Sequence, residues 1–192
     1  LADRFPLPDH TIRFALGGHG QGMPFHRHME SYNIQIHGKK RWGVYAPGNM
    51  TPTGIMMSEN YAHWLKHHAK GKNFRPPDFE FVQGPGEFLY IPEDFAHATL
   101  ALGDSVAIVQ HGHMKPGSAF YFHTQAMELM GEDDRKAVRL LSKALKIDPT
   151  SPELWYSRAT AHGILGEDEK MLKCLRNGLK VNPFDSDLLG GL

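Results

Sequence analysis

The first half of the chain alternates between short hydrophobic runs and polar or glycine-rich breaks. The run Tyr32–His37 places its three apolar residues on one face and its three polar residues on the other, the pattern of a half-buried strand. A Gly-Lys turn joins this run to Arg41–Ala46, so the two predict a hairpin. Runs of this kind predict about eight strands, at 11–16, 25–28, 32–37, 41–46, 79–83, 87–91, 97–102 and 105–111. So many short strands with glycine or proline at the turns indicate a sandwich or a barrel.

Residues 52–78 interrupt the β pattern with several prolines and one helical stretch. Ser58 is a suitable N-cap for a helix over Glu59–Lys70, which would carry Tyr61, Trp64 and Leu65 on one face. We expect this segment to be an insertion between sheet strands, where such loops often shape the mouth of a pocket.

From Ser118 onward the period becomes helical and an internal repeat appears. Ala144–Pro149 (ALKIDP) recurs as Gly178–Pro183 (GLKVNP) at an offset of 34 residues. A period near 34 with a closing proline is typical of tetratricopeptide repeats. The sequence therefore predicts a mixed β and α protein, with a β-barrel domain over residues 1–117 and a tetratricopeptide-like helical region over residues 118–192. Because such repeats usually bind peptides, a protein or peptide partner is expected for the helices.

Composition narrows the possible functions. The 192 residues include 21 Lys and Arg and 21 Asp and Glu, and this balance argues against binding to nucleic acid or to an anionic membrane surface. No apolar run is long enough to span a membrane. The single cysteine, Cys174, excludes an internal disulfide and any cysteine-based zinc finger. The oligomeric state is not set by these features.

Three histidines form the strongest chemical candidate. In an extended strand residues i and i+2 share a face, so His26 and His28 can point at one ion. His97 opens a later strand after a proline turn. Imidazole is the commonest metal ligand in proteins. The alternative is three unrelated histidines in turns or in the core. Adjacent His67 and His68 are expected at the surface.

The spacing around these histidines resembles the metal-binding β-barrels called cupins. Gly20-x5-His26-Arg27-His28 is similar to their first motif, and Gly86-x5-Pro92 followed by His97 is similar to their second. Asp94 stands where the second motif has glycine, and the usual glutamate is missing.

A narrower resemblance is to the Jumonji-C branch of the cupins. FHRHMESYNIQIHGKKRWGVYAP and, later, PGEFLYIPEDFAH are similar to that branch over about residues 11–112, most of all to its small members from the secretory-pathway lumen. The resemblance implies a double-stranded β-helix, an Fe(II) or other divalent-metal centre, 2-oxoglutarate as cosubstrate and a lumenal location. It places His26 and His97 as ligands, His28 at the carboxylate position, and Lys40 on the far carboxylate of 2-oxoglutarate. It also implies a pocket-lining, cofactor-binding position for Tyr32, for which core packing is the alternative.

Histidine at position 28 leaves two functions open. One is a metal- and 2-oxoglutarate-dependent dioxygenase that hydroxylates a protein side chain, since three histidines can still hold Fe(II), Zn(II) or Ni(II). The other is a catalytically inactive binding protein that acts through its helical tail. Glu30 is a further possible oxygen ligand. His111 and His113 are expected to form a solvated loop pair. For Lys40, the alternative to binding 2-oxoglutarate is that it is a solvated lysine in the turn.

Overall fold

The computed structural model describes residues 12–49, 60–67, 75–183 and 185–192. Seven strands in these ranges form two antiparallel sheets, and a series of helices follows them. The four-stranded sheet has the order β1-β7-β2-β5, with β1 at Arg13–Gly17, β2 at Ser31–His37, β5 at Phe88–Ile91 and β7 at Ser105–His111. This mixed β and α architecture agrees with the fold class that the sequence predicts.

The three-stranded sheet has the order β4-β3-β6, with β3 at Lys40–Tyr45, β4 at Phe79–Gln83 and β6 at Ala96–Ala101. Helix α1 (Tyr61–His67) covers its outer face. The buried core there is aromatic and consists of Phe25, Tyr45, Tyr61 and Trp64 with two alanines of β6. A Cβ at Gly43 would stand 2.3 Å from the Tyr61 hydroxyl, so glycine is what lets α1 lie against β3.

Most strand predictions agree with the structure, and three interpretations need correction. The predicted hairpin of residues 32–37 and 41–46 is wrong, because β2 pairs with β5 and β7 whereas β3 pairs with β4 and β6 in the other sheet. Phe25–His28 is not a regular strand, because only His26 forms a β-bridge, with His97. A half-buried strand ordinarily buries its apolar face, but β2 buries the other one. Asn33 and Gln35 are buried at 4% and 0% exposure, whereas Ile34 and Ile36 are 38% and 50% exposed. The alternation in β2 is real, but its polar face lines the barrel interior. Ser58, Thr11, His68 and the ends of the predicted 59–70 helix lie outside the described residues.

Helices α2 to α6 follow the sheets and begin at polar caps. They are α2 (Ala119–Leu129), α3 (Asp134–Ile147), α4 (Pro152–Ile164), α5 (Asp168–Val181) and α6 (Ser186–Gly190). The side chains of Ser118, Asp133 and Ser151 accept hydrogen bonds from backbone N–H groups of α2, α3 and α4 respectively, which satisfies donors that a helix start leaves free. The tetratricopeptide-like character of these helices stays a prediction. Within the described ranges, no helix combines the length and hydropathy that crossing a membrane requires.

Candidate metal centre

The glycine-rich segment before His26 runs alongside β6. Its backbone exchanges hydrogen bonds with that strand, from Gly20 N–H to the Ala101 carbonyl (2.9 Å), from Ala101 N–H to the Gln21 carbonyl (2.7 Å) and from Thr99 N–H to the Met23 carbonyl (3.0 Å). A Cβ at Gly22 would lie 1.8 Å from the Thr99 carbonyl oxygen. Glycine is therefore required for this close approach, which brings the segment to the level of His97.

Backbone pairing places His26 directly opposite His97. The N–H of each donates to the carbonyl of the other, at 3.1 and 3.0 Å, and residues opposite each other in such a pair project to the same side. Their ring centroids lie 4.3 Å apart, and the His28 ring lies 5.1 Å from His26 and 4.7 Å from His97. The structure thus brings together all three histidines that the sequence singles out.

Backbone carbonyls orient each of the three rings. Nδ1 lies 2.8 Å from the Pro24 oxygen in His26, 2.6 Å from the Met29 oxygen in His28 and 2.9 Å from the Phe95 oxygen in His97. A carbonyl oxygen only accepts, so each Nδ1 carries the proton and donates it. In the neutral ring Nε2 then holds the free lone pair. The same arrangement fixes the tautomer of histidines that bind metals.

Burial keeps these rings neutral. It lowers the pKa of His26, lowers that of His28 to about 4, and holds that of His97, which is 3% exposed, well below the ordinary value. A neutral imidazole is the form that binds a metal. The site is therefore ready to bind a cation without first losing protons at neutral pH.

The donor atoms fit a divalent transition metal. One ring nitrogen from each histidine lies within 4.8 Å of the other two, and imidazole nitrogens typically bind such an ion at 2.0–2.1 Å. Among the described residues, no carboxylate joins the group. Glu30 instead accepts hydrogen bonds from the hydroxyls of Tyr32 and Tyr90, so it is not placed as a ligand. Three imidazoles suit Fe, Zn or Ni.

A fourth histidine lies beside the site. His111 is the last residue of β7, pairs with the buried Ser31, and has its ring centroid 4.4 Å from that of His28. Burial lowers its pKa. The prediction of a solvated loop residue is wrong, because β7 extends to this position. Strand parity was the signal, since a residue opposite Ser31 must face the interior as Ser31 does.

Lys40 lies inside the barrel. It shares the inward face of β3 with Trp42 and Val44 and is only 7% exposed, so the alternative of a solvated turn lysine is wrong. Burial lowers the pKa of its amine. Trp42 belongs to the core, and its indole N–H donates to the side chain of Gln83.

The interior around Lys40 is polar. The buried residues there are Asn33, Gln35, Gln83 and Ser105. The side-chain oxygens of Asn33 and Gln35 have no hydrogen-bond partner among the described residues. Buried polar atoms usually find partners, so this interior retains groups that can serve a polar ligand.

Tyr32 does not line that interior. It lies on the outer face of β2, with its ring 5.3 Å from Tyr90 and 5.9 Å from Phe88, and its hydroxyl donates to Glu30. The expectation that Tyr32 contacts the cofactor is corrected by strand parity, because its neighbours Ser31 and Asn33 are the residues that point inward.

Comparison with known proteins places the barrel in a family. A family model described as the JmjC domain matches residues 10–120. The human JmjC domain-containing protein 8 is 38% identical over 97 residues, which is 50% of this chain and 35% of the relative. The mouse 2-oxoglutarate and iron-dependent oxygenase JMJD4 is 25% identical over 55% of this chain and 27% of its own length.

Among solved structures, one similar chain is YcfD, a ribosomal oxygenase from Escherichia coli in complex with cobalt and succinic acid. It is 19% identical, with a TM-score of 0.39, and the match covers 66% of this chain and 31% of that one. The match to the two curated relatives named above covers 35% and 27% of their own lengths.

Proposed function

Because the chain belongs to the JmjC domain family, we propose that it is a metal- and 2-oxoglutarate-dependent oxygenase of the protein-hydroxylase type. His28 stands at the position of the usual carboxylate ligand. The observation that carries the proposal is the convergence of three neutral imidazoles whose Nδ1 atoms are each held by a backbone carbonyl.

Each group in the barrel has a role in this proposal. His26, His28 and His97 hold the ion, which when bound supplies the centre at which dioxygen and 2-oxoglutarate react. The ammonium group of Lys40 meets the far carboxylate of 2-oxoglutarate inside the barrel. An apolar cluster of Trp42, Val44 and Ile91 limits water beside the ligands. The ring centroid of Trp42 in this cluster lies 6.0 Å from that of His97.

The charge balance of the site supports coupling between the binding of 2-oxoglutarate and the binding of the metal ion. Three neutral ligands leave the charge of a divalent cation uncompensated, and in a buried site such a charge is costly. Dianionic 2-oxoglutarate would supply the missing negative charge. We therefore expect 2-oxoglutarate to strengthen metal binding, and we expect the effect to be smaller in a His28→Asp variant, which provides its own carboxylate.

A second candidate is a catalytically inactive JmjC-fold protein that binds partners through its helices. The observation that favours it is the lack of a carboxylate ligand among the described residues. A protein or peptide partner for the helical region and a location in the secretory-pathway lumen both remain predictions.

Metal content tests the proposal most directly. Tag-free protein is loaded anaerobically with Fe(II), and bound iron is measured by mass spectrometry in wild type and in His26→Ala/His97→Ala. We expect about one equivalent in wild type and none in the double variant. His37→Ala, at an exposed position of β2, is the matched control and should keep its iron. A folded wild type without metal would leave only the binding-protein candidate.

The role of Lys40 is tested on the iron-loaded protein. Lys40→Met should weaken 2-oxoglutarate binding by at least tenfold, because a buried charge pair is lost. The exposed neighbour in the turn provides the control, since Lys39→Met should bind the cosubstrate as wild type does. Succinate release in wild type then separates an oxygenase from an inactive binder.

A further inference from the structure

The segment that carries His26 and His28 is held from behind by the helical region. Arg27, between the two histidines, has its Nε 3.1 Å from Oδ2 of Asp148, and a terminal guanidinium nitrogen lies 3.5 Å from the hydroxyl of Thr150. The side chains of Arg27 and Asp148 are 14% and 1% exposed. Because this ion pair is largely buried, removal of one partner leaves the other charge buried and uncompensated, which is strongly destabilising.

Asp94 forms a second link between the site and the helices. Its N–H donates to the His28 carbonyl at 3.3 Å. Its two carboxylate oxygens accept from the N–H groups of Ala119 and Phe120, both at 3.0 Å, at the start of α2. Asp94 has φ +68°, a conformation that glycine adopts more easily. This strained position keeps a carboxylate, and the carboxylate joins the barrel to α2.

The internal repeat offers a comparison for Asp148. Asp148 and Asn182 are equivalent positions, and each donates its N–H to the carbonyl four residues earlier, at Ala144 and Gly178. Both residues hydrogen-bond within the helical region, Asn182 with Asp185 and Asp148 through its Oδ1, which accepts from the N–H and the hydroxyl of Thr150. Asp148 differs in that its Oδ2 also pairs with Arg27 of the barrel. An asparagine therefore suits the local turn, and the charge of Asp148 is directed at Arg27.

We propose that Asp148 and Asp94 are positioning residues of the metal centre, which act through Arg27 and through the His28 carbonyl. They fix the backbone that carries His26 and His28 so that the imidazoles meet His97. The helical region then contributes to the geometry of the metal centre. This inference rests on the proposed metal centre.

Cobalt binding to the full chain tests the inference. Co(II) is titrated into wild type, Asp148→Asn and Arg27→Met, with the visible absorption of the bound ion as the readout and the melting temperature measured alongside. Removal of groups that orient metal ligands typically weakens metal binding by 10- to 100-fold, so we expect about a tenfold rise in Kd and an altered spectrum in both variants. Arg27→Met/Asp148→Asn should lose no more than either single variant, because the residues act as one pair.

Two controls separate positioning from general stability. Asn182→Asp changes the equivalent turn in the second repeat copy, and Arg41→Met removes an ion pair with Glu80 on the outer side of β3. Both should bind Co(II) as wild type does. Asp94→Gly relieves the left-handed backbone but removes the carboxylate, and we expect it to weaken Co(II) binding as well.

The outcomes distinguish this inference from the proposed function. If Asp148→Asn and Asp94→Gly lower the melting temperature but leave Co(II) affinity and spectrum unchanged, the two aspartates are structural only and the inference is wrong. If wild type binds no cobalt, the metal centre itself is wrong and the inference is overturned with it.

Discussion

The barrel interior and the helical region are built from opposite kinds of residue. The helical core consists of small and aliphatic side chains, namely Ala119, Ala126, Ala137, Leu140, Leu141, Ala144, Leu145, Leu154 and Ala161. One end of the barrel interior instead buries Asn33, Gln35, Lys40, Gln83 and Ser105. Apolar burial stabilises a fold roughly in proportion to its area, whereas a buried polar group costs free energy unless it is hydrogen-bonded.

This difference indicates that the helical core serves stability and that the barrel interior serves a ligand. Gln35 satisfies only its amide nitrogen, through the His37 carbonyl and the Ser105 hydroxyl, and its oxygen has no partner among the described residues. Proteins commonly violate packing rules at functional sites. The barrel interior keeps polar groups at a cost in stability. The helices, which are linked to the barrel through Asp94 and Asp148, have an apolar core of their own.

The largest effect on stability is expected in the helical core. Leu141 is fully buried, so Leu141→Ala should lower the free energy of unfolding by about 2–5 kcal/mol. Urea unfolding followed by circular dichroism provides the measurement. Leu189→Ala, at a position 50% exposed, is the control and should change stability by less than about 0.5 kcal/mol. Equal losses in the two variants would contradict the assignment of a stabilising core to the helices.

An intermediate effect on stability is expected when the pH is lowered, because a buried histidine of the barrel is then protonated more readily in the unfolded chain. The pKa of His28 falls from 6.5 to about 4 on folding, so between these values the unfolded chain binds more protons. The contribution of His28 to stability is complete above pH 6.5 and is lost as the pH falls towards 4. The slope is at most about 1.4 kcal/mol per pH unit and smaller for a partly exposed ring.

Urea midpoints of the metal-free protein at pH 7.5 and pH 5 measure this dependence. Wild type should lose stability at the lower pH, and His28→Gln should lose less, because glutamine does not titrate. An identical pH dependence in both proteins would show that His28 is not held neutral by burial.

The smallest effect on stability is expected where a polar interior residue becomes apolar. Asn33→Leu removes a buried oxygen that has no partner among the described residues and keeps a similar volume, so the free energy of unfolding should change by less than about 1 kcal/mol. Binding of 2-oxoglutarate to the iron-loaded protein should nevertheless weaken. If Asn33→Leu lost as much stability as Leu141→Ala and still bound 2-oxoglutarate normally, the polar interior would serve stability and not a ligand.

Local sequence patterns were enough to predict many elements of the fold and the three histidines of the candidate metal centre. Period-two alternation located β2, glycine and proline located turns, and the change to helical period located the helices. The two motifs around His26 and Pro92 grouped three distant histidines correctly, although residues 25–28 form only a bridge at His26 and not the strand that the first motif predicted. The motifs also explain Asp94, whose φ of +68° is the conformation for which cupins use glycine.

Tertiary structure alone decided which face of each strand points inward. Alternation gives two faces, but it does not say which one is buried, and in β2 the polar face with Asn33 and Gln35 faces the interior while Ile34 and Ile36 face outward. That choice placed Tyr32 outside and Lys40 and His111 inside. The link from Arg27 to Asp148 likewise spans 121 residues and follows no local pattern. Periodicity and turn chemistry act between neighbours in the chain, whereas the surroundings of a side chain depend on segments that only folding brings together.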